Sequence, residues 1–177
     1  MKDSVLAKRL KTGIRAIPDF PKEGILFRDI TPLLQDPRLF RAAVRGFAGL
    51  AEGRIDHIVS IESRGFILGA ALAYALGAGF IPVRKEGKLP HKKLSMSYEL
   101  EYNTSVVEIH ADAVRKGEKV VIVDDVLATG GTARAAVDLL GRLGADIVGI
   151  WFLIELDGLK GRRRLAGHPV RSLVTFA

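Results

Sequence analysis

Two adjacent carboxylates stand shortly before a glycine-rich loop in the second half of the chain. Asp124 and Asp125 follow an unbroken β-branched run, Val120-Val121-Ile122-Val123, and Val126-Leu127-Ala128 separates them from Thr129-Gly130-Gly131-Thr132. Neighbouring glycines let several backbone N–H groups converge, and the start of a helix adds positive potential, which suits a phosphate. The carboxylates would repel that phosphate unless they served ribose hydroxyls or the water shell of magnesium. The pattern therefore predicts a site for a sugar phosphate.

Other common catalytic and cofactor motifs are missing from the sequence. It has no G-x-x-x-x-G-K-[ST] and no G-x-G-x-x-G after a strand, which argues against ATP hydrolysis and dinucleotide binding. It has no G-x-S-x-G elbow for a serine hydrolase and no cysteine for disulfides or thiolate chemistry. The four histidines lack metal-ligand spacing, which favours core or surface roles for His57, His91, His110 and His168.

Apolar runs of strand length alternate with helical patterns along the chain. This alternation predicts an α/β fold with a mostly parallel twisted sheet flanked by helices, whose ligands bind at the carboxyl edge of the sheet. The predicted strands are His57–Ile61, Phe80–Val83, Lys119–Asp124 and Ile147–Ile154, and the predicted helices are Phe66–Leu76 and Thr132–Leu143.

Two segments break this alternation. Residues 17–37 contain Pro18, Pro21, Pro32 and Pro37, which preclude a long helix and favour an irregular segment that caps a site. Residues 84–103 are rich in Lys, Ser and Tyr and predict a mobile hairpin or lid. We therefore expect a single domain of 177 residues, with a hood at residues 1–37 and a lid at residues 84–103.

Charge and hydropathy limit the partners. A net charge of +7 favours anionic partners, but Arg162-Arg163-Arg164 has no interleaved aromatics and favours a solvated helix face over nucleic acid. Residues 65–83 carry no charge, yet Gly77 and Gly79 interrupt them, so we expect buried core there and no membrane span. The N-terminus has no continuous apolar segment typical of a secretory signal, and we expect a cytoplasmic protein.

The chain also resembles a known family. Val120 to Thr132, VVIVDDVLATGGT, is similar to the phosphoribosyl pyrophosphate signature of the type I phosphoribosyltransferases. Over nearly the whole chain, further motifs resemble the members that use adenine: residues 18–21, 27–32, 62–66, 84–90 and 98–102. The resemblance implies transfer of ribose 5-phosphate from phosphoribosyl pyrophosphate to N9 of adenine, giving AMP and pyrophosphate in purine salvage. It also implies magnesium as cofactor and a homodimer.

The resemblance assigns roles around the phosphates. Asp124 and Asp125 would hold the ribose hydroxyls and the waters of magnesium, which is itself held mainly by substrate and water. The 5-phosphate would lie on Ala128, Thr129, Gly130, Gly131 and Thr132. Pyrophosphate would contact Ser63, Arg64, Arg84 and Lys88, since cations at the leaving group stabilise its departure. The residues alone leave two alternatives open, a surface ion pair of Arg64 with Glu62 and solvated loop charges at Arg84 and Lys88.

The base and the lid complete the expected site. By resemblance, adenine stacks on Phe27, the backbone of Leu26 and Arg28 recognises its edge, and Leu156 closes the slot, whereas ordinary core packing is the alternative for Phe27. Glu101 and Tyr102 would lie on the lid, with Glu101 accepting the N9 proton. Asn103-Thr104 and His91 depart from the residues that relatives often carry, so the motion of the lid could differ.

Two other functions remain open from the residues. The phosphate loop alone is compatible with a phosphoribosyltransferase for xanthine, hypoxanthine, guanine or orotate. A regulator that binds phosphoribosyl pyrophosphate without turnover is the alternative from another class. The Phe27-Arg28 segment and the lid motif favour adenine and catalysis.

Overall fold

The computed structural model of the protein describes residues 4–99 and 104–177. The predicted catalytic residues Glu101 and Tyr102 lie outside the described residues, as do the other two of residues 100–103. No helix in the described ranges is long and apolar enough to cross a membrane. Residues 65–83, which carry no charge, form most of a helix and the start of a strand instead.

A seven-stranded mixed sheet forms the centre of the structure. Its strands in chain order are β3 (His57–Ile61), β4 (Gly79–Lys85), β5 (Lys93–Glu99), β6 (Thr104–His110), β7 (Lys119–Leu127), β8 (Asp146–Leu156) and β9 (Val170–Phe176). They lie in the order β5-β6-β4-β3-β7-β8-β9. Four neighbouring pairs are parallel: β4 with β3, β3 with β7, β7 with β8, and β8 with β9. Strand β6 pairs antiparallel with both β4 and β5. The predicted α/β class is confirmed. Residues 84–103, the predicted lid, include the end of β4 and all of β5, which pairs antiparallel with β6.

Helices cover both faces of this sheet. They are α1 (Val5–Lys11), α2 (Thr31–Gln35), α3 (Pro37–Ala48), α4 (Arg64–Leu76) and α5 (Gly131–Leu143). Alternate residues of β7 point to opposite faces, so Val120 and Ile122 join the core with α5, while Val121 and Val123 join the core with α1 to α4. Burial on both sides explains why this strand is an unbroken apolar run.

Strand β7 is longer than the sequence predicts. It continues through Asp124 and Asp125 to Leu127, because β8 keeps pairing with it as far as Leu127 opposite Glu155. Pairing with β3 on the other side ends at Val123 opposite Ser60. The prediction that the strand ends at Asp124 is therefore wrong, but both carboxylates still lie beyond the last residue pair that joins β7 to β3.

The N-terminal region contains more regular structure than the prolines suggest. A two-stranded antiparallel sheet pairs β1 (Arg15–Ile17) with β2 (Phe27–Asp29). Helix α3 begins at Pro37, where the missing N–H costs nothing, and Asp36 Oδ1 caps it by accepting from Arg38 N at 2.7 Å. As predicted, residues 17–37 contain no long helix, since α2 has only five residues.

Candidate active site

The two carboxylates of β7 lie against the start of helix α4. Asp125 is buried and Asp124 is half-buried, and Asp124 Oδ1 accepts a hydrogen bond from Asp125 N at 2.9 Å. A Cβ atom on Gly65 would stand 2.7 Å from Asp124 Oδ1, so this close approach requires glycine. The sequence therefore places α4 and β7 in direct contact at the carboxyl edge of the sheet.

Arg64 connects this carboxylate pair to an aromatic ring. Its Nε lies 2.8 Å from Asp125 Oδ2, and its guanidinium carbon lies 4.8 Å from the centre of the Phe27 ring. The ion pair is not aligned as a hydrogen bond, so the buried Asp125 Oδ2 retains its capacity to accept one. The alternative that Arg64 pairs with Glu62 is wrong, because Glu62 pairs with Arg84 at 3.2 Å.

Burial sets the protonation behaviour of the two carboxylates. Burial raises the pKa of Asp124 well above its usual value, and the neighbouring charge of Asp125 raises it further. Burial also raises the pKa of Asp125, although the positive charge of Arg64 opposes that shift. Two adjacent carboxylates in such a site favour binding of cations or hydroxyl donors, which satisfy the negative charge.

The predicted phosphate loop lies between β7 and α5. Gly130 has a φ of +82°, which favours glycine, and α5 begins at the next residue without a side-chain cap. Gly130 has no side chain that could accept a hydrogen bond from the first N–H groups of this 13-residue helix. Thr129 and Thr132 are half-buried on either side of the two glycines. A loop of this kind suits a phosphate.

The residues predicted to bind pyrophosphate lie on two segments. Ser63 and Arg64 stand at the start of α4. Arg84 lies in β4, where it pairs with Glu62 and donates from Nη1 to Lys88 O at 3.0 Å. This contact fixes the backbone of Lys88. Glu62 therefore organises both cations of the second segment, although sequence reasoning assigned it no role in pyrophosphate binding.

The loop between β4 and β5 has a second acidic anchor. Glu108 of β6 is buried and accepts from Gly87 N at 3.0 Å and from Lys93 Nζ at 2.8 Å. The hydrogen bond from Lys93 lowers the pKa of Glu108, which outweighs the opposing effect of burial. The chain segment that carries Lys88 is thereby tied to the β5–β6 hairpin.

The residues predicted to bind the base form two groups. Phe27 belongs to neither apolar core of the described residues; its ring makes an edge contact with Phe20 at 5.1 Å and faces Arg64. Leu26 is exposed. The Arg28 guanidinium instead lies 3.9 Å from the ring centre of Phe176, the residue paired with Leu156 across β8 and β9. Sequence reasoning gave neither Phe20 nor Phe176 a role at the base; Phe20 contacts Phe27 from seven residues away, whereas only the long-range pairing of β9 with β8 brings Phe176 here.

The strand, carboxylates, phosphate loop and helix together define a phosphoribosyltransferase. The family model for the phosphoribosyl transferase domain matches residues 33–174. A curated adenine phosphoribosyltransferase from Carboxydothermus hydrogenoformans is 57% identical over 168 residues, covering 94% of this chain and 99% of the relative. The chain belongs to the adenine phosphoribosyltransferase family, as the sequence motifs predict.

Solved structures agree with this assignment. The adenine phosphoribosyltransferase of Thermoanaerobacter pseudethanolicus superposes with a TM-score of 0.93 at 52% identity, over 96% of this chain and 99% of that one. The Saccharomyces cerevisiae enzyme, complexed with an imino-altritol bisphosphate and adenine, has a TM-score of 0.90 at 44% identity, over 95% of this chain and 98% of that one. The described residues therefore have the fold of the family.

Proposed function

We propose that the protein transfers the 5-phosphoribosyl group of phosphoribosyl pyrophosphate to N9 of adenine, releasing AMP and pyrophosphate. The observation that carries this proposal is the continuous contact from Phe27 through Arg64 to Asp125. A ring for the base, a cation for the leaving group and a carboxylate for the sugar stand in that order beside the phosphate loop. The yeast relative, whose complex contains adenine, supports the choice of base.

The sugar phosphate occupies the loop and the carboxylates in this proposal. Ala128, Thr129, Gly130, Gly131 and Thr132 hold the 5-phosphate through backbone N–H groups and hydroxyls. Asp124 and Asp125 accept hydrogen bonds from the ribose hydroxyls. This arrangement leaves the anomeric carbon between the base and the pyrophosphate.

Magnesium fits the donor set of this site. The described residues contain no cluster of three or more potential ligand residues, so the protein offers Asp124 and Asp125 and not a full coordination shell. Magnesium commonly keeps water and substrate phosphate among its ligands, which matches a site of two carboxylates. When bound, the ion neutralises the negative charge of the phosphates and makes pyrophosphate a better leaving group.

The leaving group is held by cations. As the bond from C1 to the pyrophosphate oxygen breaks, positive charge develops on the sugar and negative charge on pyrophosphate. Arg64, Arg84 and Lys88 stabilise the pyrophosphate, and Ser63 adds a hydroxyl beside them. Arg84 exchanges its contact with Glu62 for one with the leaving group, while Glu62 keeps its hydrogen bond from Lys85 N at 3.1 Å.

The base lies between the hood and the end of β8. Phe27 stacks on adenine, the backbone of Leu26 and Arg28 recognises its polar edge, and Leu156 closes the slot. Glu101 accepts the proton that N9 loses, and Tyr102 closes over the site to exclude water from the cation-like sugar. The last two roles rest on the sequence motif alone.

We infer a homodimer from one surface of the described chain. Tyr74 is 93% exposed and lies seven positions after the exposed Ile67, on the same side of α4, while the exposed Phe80 contacts Phe66 of that helix. Apolar side chains grouped on one helix commonly mark a protein interface. Tyr74→Arg should halve the mass measured by light scattering, whereas Val5→Arg, at a site 86% exposed on α1, should not. An unchanged mass for Tyr74→Arg would contradict this interface.

A cytoplasmic location follows from the chemistry of the proposed substrate. Phosphoribosyl pyrophosphate carries several negative charges and does not cross a bilayer unaided. An enzyme that consumes it therefore works in the compartment that makes it. Cell fractionation with an antibody to the protein would test this location, and recovery outside the cytoplasm would contradict it.

The proposed reaction is tested by mixing the purified protein with phosphoribosyl pyrophosphate, magnesium and one base at a time. The bases are adenine, hypoxanthine, xanthine, guanine and orotate, and the nucleotide formed is separated by chromatography. AMP from adenine alone supports the proposal. Faster turnover of another base would contradict the substrate, and binding of phosphoribosyl pyrophosphate without turnover would identify a regulator.

A further inference from the structure

The phosphate loop rests on a second backbone segment that the proposed reaction does not use. Two short 3₁₀ helices, Asp157–Leu159 and Gly161–Leu165, follow β8, and we call residues 157–165 the 3₁₀ segment. A Cβ on Gly130 would lie 2.6 Å from Gly161 O, and a Cβ on Gly161 would lie 2.2 Å from Ala128 O. The two backbones therefore touch directly, because both contact positions are glycine.

One ion pair fastens this segment to the sheet. Arg162 Nε and Nη2 donate to the two carboxylate oxygens of Glu155 at 2.5 and 2.6 Å. Arg162 Nη1 also donates to Val170 O at 2.9 Å, at the start of β9. A bidentate guanidinium–carboxylate pair fixes direction as well as distance. Arg162 thus holds the residue next to Gly161 in a defined position relative to two strands.

The carboxylate of this pair is buried beside the strand that carries the site. The Glu155 side chain is 6% exposed, and Glu155 pairs across the sheet with Leu127, immediately before the phosphate loop. Burial alone would raise the pKa of Glu155, but Arg162 outweighs it and lowers that pKa. Removing Arg162 alone would leave the buried Glu155 carboxylate without its counter-charge, which is costly.

The neighbouring arginines differ from Arg162. All three arginines are exposed, but no side-chain ion pair joins Arg163 or Arg164 to an acid within residues 4–99 and 104–177. The exposure of all three agrees with the predicted solvated face, but the prediction missed the buried acid that Arg162 binds. Arg163 and Arg164 therefore provide matched controls for substitutions of Arg162.

We propose that Glu155 and Arg162 form a positioning pair, which presses Gly161 against the phosphate loop and so sets the loop geometry for the 5-phosphate of the substrate. The pair acts on the loop through the backbone and does not touch substrate. This inference rests on the proposed function, since it assigns the loop to the 5-phosphate. A loop whose backbone is already positioned by a neighbouring segment loses less conformational freedom when it binds a phosphate.

The test compares three variants. Arg162→Met removes the pair and keeps an unbranched apolar side chain, and Arg163→Met removes the adjacent exposed charge. The double variant Glu155→Met with Arg162→Met removes both partners of the pair, so it restores the stability that a lone buried carboxylate costs. Each protein is measured for its melting temperature, for binding of ribose 5-phosphate by calorimetry, and for KM of phosphoribosyl pyrophosphate and of adenine.

The proposal predicts a loss specific to the phosphate. Arg162→Met should weaken ribose 5-phosphate binding and raise KM for phosphoribosyl pyrophosphate by about tenfold or more, with KM for adenine unchanged. The double variant should recover the melting temperature while its ribose 5-phosphate binding stays weak, and Arg163→Met should match the wild type.

Three outcomes would overturn the proposal: wild-type binding by Arg162→Met, recovery of binding together with stability in the double variant, or an equal loss in Arg163→Met. If Arg162→Met does not fold, the double variant decides alone. Failure of the wild type to make AMP would contradict the proposed function, whereas the binding measurements would still test the positioning pair.

Discussion

The contact between Gly161 and the phosphate loop predicts a large effect from a single added methyl group. In Gly161→Ala, the new Cβ would begin 2.2 Å from Ala128 O and 2.8 Å from Leu127 Cδ1. An ordinary carbon–oxygen contact is about 3.3 Å, so the loop and the 3₁₀ segment must separate by about 1 Å. Gly161 does not have a positive φ, and the strain therefore comes from this contact alone.

A displacement of this size is large enough to slow catalysis. Misplacing a bound group by about 1 Å can cost about 100-fold in rate, which corresponds to about 2.7 kcal/mol of transition-state stabilisation. We expect Gly161→Ala to lower kcat/KM for phosphoribosyl pyrophosphate by that factor. Overpacking of the contact should also lower the free energy of unfolding by about 1–3 kcal/mol.

A matched control lies three residues earlier in the same segment. A Cβ on Gly158 would meet nothing within 4 Å, and this glycine also lacks a positive φ. Gly158→Ala should therefore retain wild-type kinetics and stability. The assay is initial-rate AMP formation at varied phosphoribosyl pyrophosphate, with a thermal melt of each protein. A folded Gly161→Ala protein with kcat/KM within about threefold of the control would refute the reasoning.

Three further substitutions test the site. Asp124→Asn should raise the melting temperature at neutral pH, because burial raises the pKa of Asp124 and its ionisation therefore opposes folding. This gain in stability should vanish as the pH falls to 3.8, where the carboxyl becomes protonated in the unfolded chain as well. A loss of stability at neutral pH would contradict the prediction. The same variant should lose activity. Asp125→Asn should reduce turnover far more than the melting temperature, and equal losses would count against its role at the site. Phe27→Ala should raise KM for adenine by about 10- to 100-fold with little change for phosphoribosyl pyrophosphate, since aromatic stacking on a base contributes about 1–3 kcal/mol; equal changes in both KM values would argue against stacking.

The centre of the fold is predictable because its signals are local. Val120 to Val123 form a β-branched run that fits only a strand covered on both faces, and the structure buries all of it. The two glycines after it mark the turn into α5. The motif and the elements around it therefore suffice to predict the α/β class and the family.

The ends of the elements are harder to predict from the sequence. Strand β7 continues through two acidic residues, which are unfavourable in strands by propensity, because its partner β8 supplies hydrogen bonds to Leu127. Strand β9 has a short mixed sequence, and only pairing with β8 marks it as a strand. Tertiary pairing decides both cases, and no local pattern encodes it.

The supports of the site are also non-local. Glu62 and Glu108 lie far in sequence from the segment of Lys88 that they organise, and Glu155 precedes Arg162 by seven residues within an otherwise apolar stretch. A charged run such as Arg162 to Arg164 favours a solvated face on average. The buried carboxylate that selects one arginine of the three becomes visible only when β8 and the 3₁₀ segment are placed together.

Phosphorus NMR of a single reaction tests the central claim most directly. The protein is mixed with adenine, phosphoribosyl pyrophosphate and magnesium, and the signals of substrate, AMP and pyrophosphate are followed together. The proposed transfer predicts that AMP and pyrophosphate appear in equal amounts, only when adenine is present, and far more slowly with Asp125→Asn. Pyrophosphate without AMP, or AMP formation unaffected by Asp125→Asn, would contradict phosphoribosyl transfer at this site.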